Sequence, residues 1–173
     1  MHLAGDVASG RDRLDIREIA REHYDAVYRF CARRVGPDRA ADVAQETFLT
    51  VQRVIVKFRG ESSIRTWLFG VAQNECRRAI RKQGLNCSAL EYALDISSGV
   101  DGEEAIVNRE VLRKALEELS EEHRDVVLLH EMEGLTYEEA AEVLGIPVGT
   151  VKSRLHHAFQ NLRRALSTAK GGA

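Results

Sequence analysis

The sequence predicts an all-α protein made of two small helical domains joined by a flexible acidic linker. Three observations predict it. Apolar residues recur at helical spacing through most of the chain, alternating strand patterns are nearly absent, and only two prolines, Pro37 and Pro147, punctuate the 173 residues. That length suits one ordinary domain or two very small ones, and two cores of that size are individually marginal because short chains bury less of their surface.

In the first helix, Ile16, Ile19, Ala20, Tyr24, Val27, Tyr28, Cys31 and Val35 share one face until Gly36-Pro37 stops the pattern. A second helix is expected from about Asp38, as N-cap, through Val43, Ala44, Thr47, Phe48, Val51, Ile55 and Phe58 to Arg59-Gly60. Ser62-Ser63 caps a third, with Ile64, Trp67, Leu68, Val71, Ala72, Cys76 and Ile80 as its apolar stripe. These three helices make one bundle over residues 14–85, behind a tail at 1–13. Periodicity fades over 86–107, where Ser97-Ser98-Gly99 and Asp101-Gly102 break it. Fully extended, that linker spans about 70 to 80 Å, comparable with two turns of duplex at about 34 to 36 Å each.

The second domain, residues 108–168, opens with Leu112, Leu116 and Leu119, followed by Val126, Val127, Leu128, Leu129 and Met132, closed by Gly134. Thr136 with Glu139 is a capping box, and Tyr137, Ala140, Ala141 and Leu144 form the buried face of the helix it starts. Gly145-Ile146-Pro147 turns the chain into a last helix marked by Val151, Leu155, Ala158, Phe159, Leu162 and Leu166, with a tail at 169–173.

No apolar run approaches the roughly 20 residues of a membrane span, and the first ten residues lack the pattern of a signal peptide, so a cytoplasmic protein without membrane insertion is expected. Cys31, Cys76 and Cys87 contain no C-x-x-C pair and are read as reduced thiols. The formal charge of −2 conceals a strong polarity. Residues 21–85 carry thirteen Lys/Arg against seven Asp/Glu, 86–110 one against six, 111–149 three against ten, and 150–173 five against none. Two basic surfaces joined by acidic segments point to DNA.

The span from Thr136 to Arg164 has helix-turn-helix organisation, whose second helix enters the major groove. Thr150, Lys152, Ser153, Arg154, His156 and His157 occupy its base-facing turns, with Arg163 and Arg164 further along. No acid follows Glu142 to pair with these bases, as a merely solvated helix would have. Arg77, Arg78, Arg81 and Lys82 form a second basic stripe on the third helix. No phosphate-cradling glycine loop, H-E-x-x-H or nucleophile elbow occurs, so no enzyme and no cofactor are expected. Adjacent helix positions diverge, so His156-His157 is not read as a metal site.

Asp42-Val43-Ala44-Gln45-Glu46-Thr47-Phe48, Phe58-Arg59-Gly60-Glu61-Ser62-Ser63-Ile64-Arg65-Thr66-Trp67-Leu68 and the stretch Leu135 to Leu155 together resemble the conserved regions 2 and 4 of extracytoplasmic-function sigma factors. The resemblance covers nearly everything from Ile16 to Leu166 and implies a sigma factor that binds core RNA polymerase and directs promoter-specific initiation. It implies that the first domain melts the minus-ten element and captures a flipped base, with Phe58, Ser62, Ile64 and Asn74 as pocket and loop, Val54 as a wall, Trp67 as platform or core, and the Arg77, Arg78, Arg81 and Lys82 stripe on DNA. It further implies that Asp42, Gln45 and Glu46 dock on the clamp helices of the beta-prime subunit. The second domain would read the minus-thirty-five duplex and hold the beta flap, and an anti-sigma factor would be a partner. Two departures stand out: Arg39, Ala40 and Ala41 lie where relatives carry acids, and His157 where many carry Arg. Thr47 as a phosphorylation site near that clamp motif rests on one hydroxyl. A sigma mimic that binds only an anti-sigma factor would lose Lys152, Arg154, Arg163 and Arg164, and a stand-alone repressor would lack the melting motif.

Overall fold

The computed structural model describes residues 15–83, 114–116 and 118–170. The expected linker at 86–107, Cys87 and Leu112 lie outside the described residues. Helix α1 spans Ile16–Val35, its first turn held by Asp15, whose carboxylate accepts from Arg17 N. It ends at Gly36, whose φ of 89° only glycine adopts without strain, and α2, Pro37–Val54, begins at the next residue. Gly36 is therefore the N-cap expected at Asp38, which lies inside the first turn. Nor does α2 run to Phe58: it gives way to a 3-10 turn over Ile55–Lys57. Ser63 caps α3, Ile64–Gln83, by accepting from Thr66 N at 3.0 Å.

In the second domain a helical turn at 114–116 precedes α4, Glu121–Val127, capped by Ser120. The chain then widens into a π-turn over Leu128–Met132, in which Glu133 N donates to Leu128 O five residues back. Helices α5, Tyr137–Leu144, and α6, Val148–Lys170, complete it. Among the described residues there is no strand, and no helix is long and apolar enough to cross a membrane.

The two domains do not keep separate cores. One buried apolar cluster runs from Val27, Phe30, Phe69 and Cys76 in the first domain to Leu119, Leu128, Leu129, Leu144, Val151 and Leu155 in the second. The Phe30 and Phe69 rings meet edge to face at 5.3 Å, and the Arg65 guanidinium lies 4.9 Å over Phe69. Cys31 and Cys76 are buried free thiols 3.8 Å apart, and their hydrogen bond, with burial, holds the Cys76 thiol well above its usual range. A smaller cluster of Ile19, Val51 and Leu68 packs at Trp67 and Ile64. Two aromatic residues expected in the second core instead reach solvent, Tyr137 stacking on His130 and Phe159 standing exposed on α6.

Charged groups fix the docking. Arg34, fully buried, pairs with Asp125 Oδ1 at 2.8 Å and with Glu121 at 3.1 Å. Asp125 Oδ2 accepts from Gln73 at 2.6 Å and Arg77 at 3.1 Å. Arg33 donates to the Glu133 carboxylate, Arg65 to the Glu133 carbonyl, and Thr66 to Glu139 at 2.8 Å. Burial pushes the Asp125 carboxyl above its usual 3.8, against Arg34 and Arg77 pulling it down and Glu121 adding to the rise. Burial likewise raises Glu133 above 4.5, against Arg33, Arg65 and Arg29.

An acid that titrates higher between packed domains than in water gives the packed form extra protons. Its stabilisation is fullest below its ordinary value and fades as pH rises through the raised one. The domain contact should therefore tighten as pH falls through the raised titration of these two acids, and small-angle scattering of the full chain over a falling pH series should show the radius of gyration shrinking.

Candidate nucleic-acid interface

The helix-turn-helix is fastened at each joint. Thr136 Oγ1 accepts from Glu139 N at 3.1 Å while Glu139 Oε2 accepts from Thr136 N at 2.8 Å, so both backbone donors of the capping box are satisfied. That backbone bond, with the Thr66 hydroxyl, holds the Glu139 carboxyl below its usual range. Gly145, at φ 66°, closes α5 in the left-handed region, and Ile146 N returns to Ala141 O at 3.1 Å. Pro147 O then accepts from Thr150 N and Val151 N to start α6.

Val151, Leu155, Ala158 and Leu162 bury one face of α6, so the 3.6-residue repeat leaves Lys152, Ser153, His156, His157, Arg163 and Arg164 exposed on the other. Thr150 and Arg154 are half-buried beside them. The six residues assigned from sequence thus share one surface of one helix. Their bases are not free of acids as the sequence suggested, for Glu122 of α4 reaches Arg154 at 3.1 Å. Lys152 Nζ rests 5.2 Å from the Tyr137 ring, His156 bonds to Gln160 at 2.9 Å, and His157 faces His123 at 6.3 Å between ring centres.

In the first domain, Val54 ends α2, Phe58 follows the 3-10 turn, and Ser62 and Ile64 lie at the start of α3. All four are half-buried, and Phe58 sits against Trp67 with ring centres 5.2 Å apart. Trp67 is neither core nor bare platform: one side meets the small cluster and the ring keeps partial access to solvent. Asn74, exposed, is seven residues on and so lies on the same side of α3 about 10 Å further along.

The basic stripe divides. Arg81 and Lys82 are exposed, Arg78 holds both oxygens of Glu75 at 3.1 and 3.0 Å, and Arg77 turns into the domain contact. Sequence reasoning missed Arg34, Arg65 and Gln73, whose only signal was a charged or polar residue on an otherwise buried helix face.

Asp42, Gln45 and Glu46 are exposed on α2, opposite buried Ala40, Val43, Ala44 and Thr47. Asp42 and Glu46 line a groove of about 400 Å³ between α2 and α3, and Arg78 and Lys82 form its far wall. The Thr47 hydroxyl is fully buried and donates to Val43 O at 2.8 Å, which removes it as a site open to a modifying enzyme. Among the described residues no cluster of three His, Cys, Asp or Glu side chains could hold a metal ion.

Comparison with known proteins matches residues 19–85 to the Sigma-70 region 2 family and residues 109–162 to Sigma-70, region 4. The chain is 32% identical to the RNA polymerase sigma factor YlaC of Bacillus subtilis, over 92% of this chain and 96% of that one. It is 31% identical to the ECF RNA polymerase sigma factor SigW of the same organism, over 94% and 91%. Among solved structures it resembles the sigma factor RpoE of Bartonella quintana, crystallised in complex with the anti-sigma factor NepR, at 26% identity and a TM-score of 0.68, covering 88% of this chain and 97% of that one.

The capping box sets where α5 starts, and its Glu139 also meets Thr66 of the other domain. Thr136→Ala is therefore expected to lower stability by about 0.5 to 2 kcal/mol, read from chemical denaturation followed by circular dichroism.

Proposed function

The chain belongs to the extracytoplasmic-function group of the sigma-70 family, non-enzymatic factors that direct transcription initiation by RNA polymerase, and we propose how its two domains divide that work. The second domain reads the minus-thirty-five element as duplex, and the first melts and holds the minus-ten element. The observation that carries this reading is the pairing, in one chain, of an outward basic face on α6 with a half-open aromatic loop at the start of α3.

Lys152, Ser153 and Arg154 lie in the early turns of α6, where a recognition helix meets base edges, while His156, His157, Arg163 and Arg164 extend the face toward phosphate. The rings of His156 and His157 offer nitrogens that can hydrogen-bond to base edges or phosphate. Engaging DNA exchanges the Glu122 contact of Arg154 for a phosphate or guanine contact; that carboxylate is itself well exposed, so little is lost.

On the first domain, Val54, Phe58, Ser62, Ile64 and Trp67 supply apolar and aromatic walls for an unstacked base, and Asn74 an amide able to read its edge. Unstacking costs a few kcal/mol, which these contacts must offset. Arg77, Arg81 and Lys82 follow the strand by its phosphates.

Asp42, Gln45 and Glu46 dock on the beta-prime clamp helices, and the second domain holds the beta flap. Arg78 and Lys82 face the groove that Asp42 and Glu46 line, so they contribute to that docking as well as to DNA. The resemblance to a sigma factor crystallised with its anti-sigma partner supports an anti-sigma factor for this chain too.

Run-off transcription of a genomic fragment library with bacterial core polymerase should give discrete transcripts that core enzyme alone does not; their absence would remove the reading. Replacing Lys152 and Arg154 by Ala should reduce promoter use by about tenfold or more, each good base contact being worth about 1 to 3 kcal/mol. Asn74→Ala should leave polymerase binding intact and lower open-complex yield, scored by permanganate reactivity of unpaired thymines.

A further inference from the structure

Lys152 stands on the exposed face of α6 at the end of a long, flexible stem, and its direction is set by something other than an ion pair. Arg154, two residues on, is steadied by Glu122 at 3.1 Å, whereas among the described residues no carboxylate pairs with Lys152. Its ammonium instead lies 5.2 Å over the ring of Tyr137. An aromatic face attracts a cation through the ring quadrupole, and an ammonium has three N–H donors, so one turned to the ring leaves two for a base edge.

A ring can aim a neighbour only if it is itself held. Tyr137 is the first residue of α5, directly after the Thr136 cap, so the capping box fixes its backbone. Its ring stacks on the His130 imidazole at 4.3 Å and 21°. That imidazole is fixed in turn: a carbonyl oxygen only accepts, so the 2.7 Å contact with Leu135 O puts a proton on Nδ1 and sets the ring plane. His130, Tyr137 and Lys152 thus form a chain of contacts from the π-turn through the start of α5 to the early turns of α6. With 37% of its surface exposed, Tyr137 contributes little to the core, so the stack serves the ring's position more than the fold's stability.

Resting on the reading of α6 as the helix that meets the minus-thirty-five duplex, we propose that Tyr137, propped by His130, is a specificity-determining residue that acts without touching a base: it aims Lys152 and thereby selects the base pair that Lys152 reads. Guanine, with its O6 and N7 acceptors side by side in the major groove, is the partner that a lysine ammonium with two free donors fits. Holding the stem in place before binding also spares the entropy of ordering it on the DNA. The benefit is therefore felt at one base position rather than across the whole site.

The test uses holoenzyme assembled from the full chain and bacterial core polymerase, and a pool of duplexes randomised over the upstream element, with bound and unbound DNA sequenced. Lys152→Ala should flatten the base preference at one position. Tyr137→Ala should weaken the preference at that same position by about two- to fivefold and leave the others as they are, and adding it to Lys152→Ala should change nothing further. Tyr137→Leu, which keeps apolar bulk without an aromatic face, should behave as the Ala variant does, and Tyr137→Phe, which keeps the face and drops the hydroxyl, as the unsubstituted chain. A uniform loss of affinity across all sequences, equal behaviour of the Leu and Phe variants, or an additive loss in the double variant overturns the proposal. If Lys152→Ala flattens no position, the base-reading role of Lys152 falls and this proposal with it, whereas a preference lost with Lys152→Ala and kept with Tyr137→Ala removes this proposal alone.

Discussion

The carboxylate of Asp125 is the point on which the architecture turns. It meets Arg34 of α1 with one oxygen and Gln73 and Arg77 of α3 with the other, so a single side chain of the second domain specifies the position of two helices in the first. Apolar attraction has no direction of its own, whereas two hydrogen-bond donors and a buried ion pair on one carboxylate do. Two helical units too small to bury much surface singly thereby share one core, in a single orientation.

That dependence also explains what was legible in the sequence. Elements set by local chemistry were: Gly36-Pro37 ended α1, the Thr136 and Glu139 box started α5, Gly145 turned it, and the apolar stripe of α6 left its basic and polar residues outside. Shifts at α2 have local causes as well. Proline at the first helical position, after a glycine with positive φ, moves the cap from Asp38 to Gly36, and the 3-10 turn carries Phe58 clear of the helix to meet Trp67. Tyr137 and Phe159 were misread because periodicity shows a face but not its width; each sits at the margin, where a ring can be half wet.

What the sequence withheld is long-range. Nothing local to Arg34 says that a buried position should hold a guanidinium, since its partner lies about ninety residues on. Likewise the acidic balance of 111–149 was read only as a segment beside the basic surfaces, and it does not reveal that two of its acids, Asp125 and Glu133, are buried. The roles proposed for the α6 residues came from helix-turn-helix organisation, and those proposed for the first domain from family resemblance. The structure adds that those of α6 lie on one surface and that Arg77 of the α3 stripe is already engaged.

The π-turn over Leu128–Met132 makes the phase of the chain part of this arrangement. A regular helix advances about 100° per residue, so one residue accommodated in a widened turn rotates everything after it by about that angle. Glu133, immediately beyond, owes its aim at Arg33 to that offset. Removing one residue from the segment would restore an ordinary helix and spare each unit's own hydrogen bonding, yet it would swing Glu133 off its mark. The tolerance of this stretch to insertion and deletion is therefore governed by the neighbouring domain, and a change of length that looks innocuous in either half alone would disengage them.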